Sequence, residues 1–318
     1  MMNPRCFCTI ITRSHLGWAL ALVGSLRQFD PHLPFVILIT DVDHLDQKEV
    51  GNAAGVEVLF MKDVLSTDLG KHIATKYAQQ PDELRWSLKS VLMLQLLDRY
   101  DKVIYGDCDL HFFNDPNWLW SELDAADILL TPHWRSSRAT VDRPNFKELY
   151  QGGLYNGGFV AAAQGGRAAL QAWGENCLEI CVKDLSIGQY VDQAHLNLLP
   201  IYFDRVYPLK HRGCNVANWN MVECERTKTA DGTIVINGKI PIVFIHFTRS
   251  MIDGIVSGVD PLLMPHLTTL RDRLLQHGFP KDLIADSKER LARKAEAAKP
   301  PSIPQRVGRA VKKVIGGK

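Results

Sequence analysis

The chain has 318 residues, of which 46% are apolar and 23% charged, and its formal net charge is +2. This is the balance of a globular protein, and a chain of this length can bury a sizeable core without disulfides or a structural metal. The residues from 288 onward hold ten Lys or Arg against two Glu, so this end carries +8 and leaves −6 for the rest. An acidic body argues against nucleic acid as the main partner.

Strands and helices alternate over the first hundred residues. Apolar runs rich in β-forming residues predict strands at 6–11, 34–40, 56–60 and 102–106. Helical patterns cover 15–29 and 82–99, the second with Asp82 as its N-cap after Pro81. Nearly continuous apolar runs are typical of parallel strands covered on both faces. The expected fold class is therefore α/β, with a mostly parallel central sheet flanked by helices.

The second half predicts a more mixed arrangement. A strand at 155–163 is entered through Asn156-Gly157-Gly158, and helices are expected at 166–180, 191–198 and 261–277. A hairpin is expected within 231–247, because Asp-Gly and Asn-Gly turns separate its apolar stretches.

The seven cysteines include no C-x-x-C pair, which favours a reduced chain and a cytoplasmic location. No apolar stretch approaches the roughly 18 to 20 residues that a membrane span needs. Residues 286–318 form a basic linker and tail. Beyond a proline-rich segment at 299–304, apolar residues recur at helical spacing. The opposite face of such a helix would contain Arg306, Arg309, Lys312 and Lys313. This predicts either a peripheral membrane contact or a solvated tail.

Two carboxylates directly follow a predicted strand. Asp107 and Asp109 flank Cys108 after KVIYG, where open α/β sheets bind ligands. Alternation along extended backbone would point both side chains the same way. Carboxylates this close favour a divalent cation between themselves and a diphosphate. If the strand containing His246 ends beside them, the three side chains suit Mn²⁺ or Mg²⁺.

Further polar residues lie at similar positions. Arg85 and Lys89, four residues apart on a predicted helix, could both face phosphates. The Asn156-Gly157 turn would let backbone approach a ligand, and Asn156 could bond a sugar hydroxyl. Asp192 and Gln193 open a helical stretch. Each of these features also has an ordinary structural explanation, as a solvated helix face, a turn or a cap.

In this order and spacing, the residues resemble the GT-A nucleotide-diphospho-sugar transferases, especially the group around glycosyltransferase family eight. The matching elements are the opening strand with its Thr12-Arg13-Ser14 loop, Arg85 and Lys89, YGDCD, YNGGFVAA, DQAHLN and FIHF. They span roughly residues 5 to 250. The resemblance implies one Rossmann-like GT-A domain over residues 1–285, with a nucleotide-binding half to about 115 and a sugar and acceptor half from about 116.

The resemblance also implies roles for individual residues. Mn²⁺, or Mg²⁺, would be held by Asp107, Asp109 and His246. The donor would meet Thr12, Arg13, Arg85, Lys89, Asp107, Asn156 and Gly157. Asp192 and Gln193 would be catalytic, and sugar transfer with retention is expected over inversion. Two departures distinguish this chain, since Ala194 stands where the family often has an acidic residue, and FTRSM after His246 lacks the usual Gly and Lys-Pro-Trp.

The acceptor, a saccharide or glycolipid, is expected near Trp134 and Trp219, whose rings could stack on sugars or belong to the core. Two other functions stay open. Asp-x-Asp after a strand also occurs in phosphohydrolases that use the first Asp as nucleophile, although Leu110 follows here. The same fold could also bind nucleotide sugars without catalysis.

Overall fold

The computed structural model describes residues 3–46, 49 and 55–298. Its strands, in chain order, are β1 Asn3–Ile11, β2 Phe35–Ile39, β3 Val56–Phe60, β4 Tyr100–Gly106, β5 Leu110–Phe112, β6 Ile128–Pro132, β7 Tyr155–Ala163, β8 Lys183–Asp184, β9 Gln189–Tyr190, β10 Val206–Pro208, β11 Arg226–Lys228, β12 Ile234–Ile236, β13 Ile240–Pro241 and β14 Phe244–His246. Its helices are α1 Leu16–Arg27, α2 Met61–Val64, α3 Asp68–Lys76, α4 Pro81–Leu96, α5 Trp118–Ala125, α6 Arg143–Gln151, α7 Arg167–Glu179, α8 Gln193–Leu196, α9 Leu199–Tyr202, α10 Arg249–Val256, α11 Met264–Gln276 and α12 Leu283–Ala298.

The centre of the fold, within these residues, is a seven-stranded sheet in the order β10-β6-β7-β4-β1-β2-β3. Each neighbouring pair is parallel except those of β7, which runs antiparallel to both β4 and β6. The predicted α/β class with a mostly parallel sheet is therefore confirmed. The sequence periods could not show the direction of β7, because an apolar strand looks alike in either orientation.

Both faces of the sheet are covered, as the continuous apolar strands require. Along β1, Cys6 and Cys8 belong to the core that includes residues of α4 and α7, whereas Phe7 and Ile11 belong to the core that includes residues of α1. This alternation places successive side chains on opposite faces. Helix α4 begins at Pro81 with Gln80 in the N-cap position, so the predicted cap at Asp82 is wrong by two residues. Proline at the first helical position needs no backbone donor, which explains the earlier start.

The predicted hairpin is confirmed, since β12 and β13 pair antiparallel across the Asn237-Gly238 turn, and β11 extends them to a three-stranded sheet that is followed by β14. Strand β14 leaves that sheet and pairs antiparallel with β5, with His246 opposite Leu110. The pairing continues beyond the strands, where the Phe247 amide donates to the Asp109 carbonyl oxygen at 2.9 Å. Two distant parts of the chain are therefore joined at the end of β4.

Helix α12 packs against α10 through a buried polar contact. The Asp253 carboxylate of α10 accepts hydrogen bonds from the Ser287 hydroxyl and from Arg290, each at 2.7 Å. The predicted boundary between body and tail, at residue 285, lies inside this helix. The proposed amphipathic segment beyond 299 lies outside the described residues, and its membrane contact stays a prediction. Each helix of the described chain is too short or too polar to cross a bilayer.

Candidate metal and nucleotide site

Asp107, Asp109 and His246 meet just beyond the end of β4. One potential ligand atom from each lies within 4.8 Å of the other two. The closest approach is 3.0 Å, between the His246 Nε2 and an Asp109 carboxylate oxygen. The pairing of β5 with β14 is responsible, because it sets the histidine beside the loop that contains both aspartates. The predicted group of three is thus assembled by strands far apart in sequence.

The electrostatics of this cluster follow from a buried histidine beside two half-buried carboxylates. Burial alone would raise the pKa of Asp109, but the neighbouring His246 leaves that pKa below its usual value. Burial would lower the pKa of His246, and Asp109 and Asp107 together leave it raised instead. A cation at this position therefore matches a local excess of carboxylate charge.

Asn156 contacts His246 at Nδ1, the ring nitrogen that does not face Asp109. Its amide nitrogen lies 2.8 Å from the His246 Nδ1 and donates to the Asn215 side-chain oxygen at 2.7 Å, and its oxygen accepts from the Gly158 amide at 2.8 Å. The side chain is buried. A fixed partner on one ring nitrogen holds the imidazole so that the other nitrogen faces the cluster.

Lys89 connects the aspartates of the site. Its ammonium lies 3.2 Å from Asp107 and 3.1 Å from Asp192, and it donates to the Gly157 carbonyl oxygen at 2.9 Å. Burial alone would lower the pKa of Lys89, but the two carboxylates outweigh it and raise that pKa. The lysine therefore stays charged inside the fold. Asp107 accepts a further hydrogen bond, from the Tyr105 hydroxyl at 2.6 Å.

Gly157 and Gly158 permit this close packing. A Cβ on Gly158 would lie 2.7 Å from the His246 ring and 2.9 Å from an Asp107 carboxylate oxygen. A Cβ on Gly157 would lie 2.6 Å from an Asp192 carboxylate oxygen. The glycine pair is thus required by the approach of side chains, whereas the sequence suggested the approach of a ligand.

Asp192 and Gln193, the predicted catalytic pair, lie beside Gly157 of β7. Asp192 is 2% exposed, and burial raises its pKa against the opposing effect of Lys89. The Gln193 amide donates to the Gly152 carbonyl oxygen, and its side chain is also buried. Both approach Gly157 closely, but neither lines the cavity described next.

A cavity of about 410 Å³ opens beside Asp107 and Asp109. This is within the range of pockets that hold small ligands. Its wall contains the predicted residues Thr12, Arg85 and Lys89. Aromatic and aliphatic side chains complete it, among them Ile10, Trp18, Trp86, Phe247 and Phe279.

Arg13, by contrast, is directed towards another part of the fold. Its side chain forms an ion pair with Glu49 at 2.8 Å, and its backbone amide donates to Asp41 at 2.7 Å. It does not line the cavity. Thr12 does, with its hydroxyl 2.8 Å from the His15 Nδ1.

The two predicted acceptor tryptophans lie in different surroundings. The Trp219 ring packs edge-on against His246, with centroids 5.5 Å apart, and so adjoins the metal ligands. Trp134 has Arg212 stacked over its ring at 4.3 Å. Contact with the site favours Trp219 over Trp134, and their roles towards an acceptor stay predictions.

Three parts of the site were missed from the sequence. Tyr105 was included in an apolar strand, and Asn215 has no distinctive neighbours. Residues 279–290 follow the matched motifs altogether, yet several of them line the cavity. Of these, only Asn215 has a residue type that fits its position in a recognisable way. Its backbone is left-handed, with φ of 64°, and asparagine tolerates this conformation better than most residues.

No family model matches the chain. YfnF, an uncharacterized protein of Bacillus subtilis strain 168, is 27% identical over 289 residues, which cover 87% of this chain and 91% of YfnF. Among solved structures, the galactosyltransferase LgtC, in complex with donor and acceptor sugar analogues, aligns at 17% identity with a TM-score of 0.44, over 76% of this chain and 86% of LgtC. Mouse xyloside xylosyltransferase 1, in its apo form, aligns at 15% identity with a TM-score of 0.46, over 78% and 99%. These similarities are too distant to establish a function.

Proposed function

We propose that this protein is a divalent-metal-dependent glycosyltransferase that moves a sugar from a nucleotide-diphosphate-sugar donor to a saccharide or glycolipid acceptor. The supporting observation is the group Asp107, Asp109 and His246 at the edge of a cavity of about 410 Å³. Such a ligand set beside a pocket with both basic and aromatic walls suits a nucleoside diphosphate better than a neutral metabolite.

The three side chains fit a hard divalent cation. Two carboxylates and one imidazole offer oxygen and nitrogen ligands within 4.8 Å of one another, as Mn²⁺ and Mg²⁺ prefer. The bare backbone of Gly158 leaves the space that this approach requires. A bound cation would supply Lewis-acid stabilisation of the charge on a departing nucleoside diphosphate.

The chain's own residues would position the donor. Arg85 lines the cavity and presents a guanidinium suited to phosphate oxygens, while Lys89 holds Asp107 and Asp192 in fixed positions. Thr12 would contact the nucleotide at the end of β1. These assignments extend the sequence predictions, with Lys89 acting on the site through its two carboxylate partners.

For the stereochemistry, we favour retention, with Gln193 or Asp192 stabilising the positive charge that develops at the anomeric carbon. Inversion would need Asp192 as a base at the acceptor hydroxyl. Neither Asp192 nor Gln193 lines the cavity, so their burial does not separate the two routes, and the preference for retention rests on the resemblance described above. The anomeric configuration of the product, determined by NMR, distinguishes the two routes.

A thermal-shift panel tests the proposal. The full chain is mixed with UDP, GDP, ADP, CDP and TDP and with their sugars, with and without Mn²⁺. One nucleotide is expected to raise Tm only with the metal, and Asp109→Asn to abolish that rise because a metal ligand is lost. Asp115→Asn, which changes an aspartate in the loop after β5, is the matched control and should respond like the wild type.

Three results would contradict the proposal. A nucleotide response that is unchanged in Asp109→Asn would refute the proposed metal site. No response to any nucleotide would redirect attention to the phosphohydrolase alternative, for which a phosphatase assay is decisive. Tight donor binding without transfer, over a broad acceptor panel, would instead favour the non-catalytic binder.

A further inference from the structure

The end of the described chain forms one wall of the cavity. Five residues from the loop before α12 and from its first turns line the same space as Asp107 and Asp109: Phe279, Lys281, Leu283, Asp286 and Arg290. Nothing in the motifs that led to the site includes this segment. We call residues 278–290 the C-terminal wall.

The C-terminal wall is held in place by specific contacts. Phe279 packs edge-on against Trp18 of α1, with ring centroids 5.9 Å apart. Arg290 is fixed by its 2.7 Å hydrogen bond to Asp253, and Ser287, which bonds the same carboxylate, is fully buried. The wall is therefore anchored to both α1 and α10, as a binding surface requires.

Some of the basic side chains around the cavity are ion-paired and others are not. Lys89, Arg85 and Arg290 each form an ion pair with at least one aspartate. Lys281 and Arg249 also line the cavity, and both are exposed. Neither has a carboxylate partner among the residues that the structure describes. Their positive charges are therefore available to an anion.

We propose that Lys281 is a phosphate-binding residue of this cavity, contacting the diphosphate of a bound nucleoside diphosphate from the C-terminal wall. The inference rests on the proposed function and adds a binding residue to it. An ammonium has three donors and no acceptor, so it suits phosphate oxygens better than the mixed donors and acceptors of a base. Its long, unpaired side chain can reach a ligand without breaking an existing ion pair.

The test is calorimetric titration of the full-length protein, in Mn²⁺, with the nucleoside diphosphate that the thermal-shift panel selects and with the corresponding nucleoside. Lys281→Ala is expected to weaken diphosphate binding by about tenfold or more, the scale of one charged hydrogen bond, and to leave nucleoside binding unchanged. Lys281→Arg should retain most of the affinity because it keeps the charge. Lys288→Ala, an exposed lysine of α12 that does not line the cavity, is the matched control.

The possible failures are separable. If the wild type binds no nucleoside diphosphate, the proposed function fails and this inference fails with it. If the wild type binds and Lys281→Ala binds equally well, the role of Lys281 is overturned while the metal site stands. If Lys281→Ala weakens the nucleoside as much as the diphosphate, the wall contacts the base or ribose, and the phosphate assignment is wrong.

Discussion

Lys89 determines the charge balance inside the candidate site. Its side chain is 4% exposed and lies between Asp107 and Asp192, whose side chains are 32% and 2% exposed. One ammonium thus serves two carboxylates, and a buried charge without a partner is costly. On the sequence, Lys89 is one more basic residue on a helix, and its spacing from Arg85 indicates only a shared helix face.

Replacing Lys89 by Met should destabilise the protein by about 3–5 kcal/mol, because Asp192 would remain buried without its cation. The free energy of unfolding is measured by urea denaturation. The double variant Lys89→Met/Asp192→Asn should regain part of the loss, since it removes the uncompensated charge. Lys71→Met breaks an exposed ion pair with Asp68, which water screens, and should cost far less. Equal losses for the two lysine variants would refute the argument.

At the scale of elements, one buried carboxylate of α10 holds helix α12 in position. Asp253 on α10 accepts from Ser287 and Arg290 and lies 3.0 Å from the Lys294 ammonium. Four of the ten Lys and Arg that marked this end of the chain as a basic tail lie on this helix. Two of them, Arg290 and Lys294, pair with Asp253 instead of facing only solvent.

Asp253→Ala should loosen α12 selectively. Its amides at 283–298 are expected to exchange faster in hydrogen–deuterium exchange, corresponding to about 1–3 kcal/mol of lost local stability, because a charged acceptor with several donors is removed. The strands of the central sheet should keep their protection. Glu289→Ala, at an exposed position of the same helix, is the matched control. Unchanged exchange in α12 would show that its apolar contacts alone hold it.

At the scale of the whole molecule, neutral histidines that are buried or half-buried should limit stability in acid. His266 on α11 packs edge-on against Phe113, with ring centroids 4.6 Å apart, and burial lowers its pKa to about 4. The Nδ1 of its ring has no hydrogen-bond partner among the described residues. Burial lowers the pKa of His133 further, to about 3. The unfolded chain therefore binds protons that the folded chain excludes between pH 6.5 and 4.

His266→Phe should reduce this acid sensitivity. For a histidine whose pKa is lowered by folding, stability is complete above the unfolded value near 6.5 and decreases as the pH falls towards the folded value. Relative to the wild type, the variant should therefore gain about 2 kcal/mol between pH 7.5 and pH 4.5, measured by urea denaturation at each pH. His32→Phe, at an exposed position, controls for loss of a histidine as such. Parallel stability curves for wild type and His266→Phe would contradict the prediction.

The sequence by itself predicted five of the seven strands of the central sheet, all but β6 and β10, and the three residues of the candidate metal site. Apolar runs predicted β1 to β4 and β7 within three residues at each end, because burial on both faces demands continuous apolar strands. Asp107 and Asp109 could be placed at a strand end for the same reason. His246 followed from the resemblance, and its pairing partner β5 was not needed to name it.

Only the tertiary structure decided how these residues are used. Asn156, expected to face a sugar, is occupied by His246 and Asn215, 90 and 59 positions away in the chain. Lys89 reaches Gly157 across 68 positions. Local patterns describe neighbours within a helical turn or along a strand, whereas these contacts depend on the path of the whole chain. The C-terminal wall is the clearest case, since the sequence predicted only a basic linker and tail from residue 286, and packing against α1 and α10 sets this segment beside the cavity.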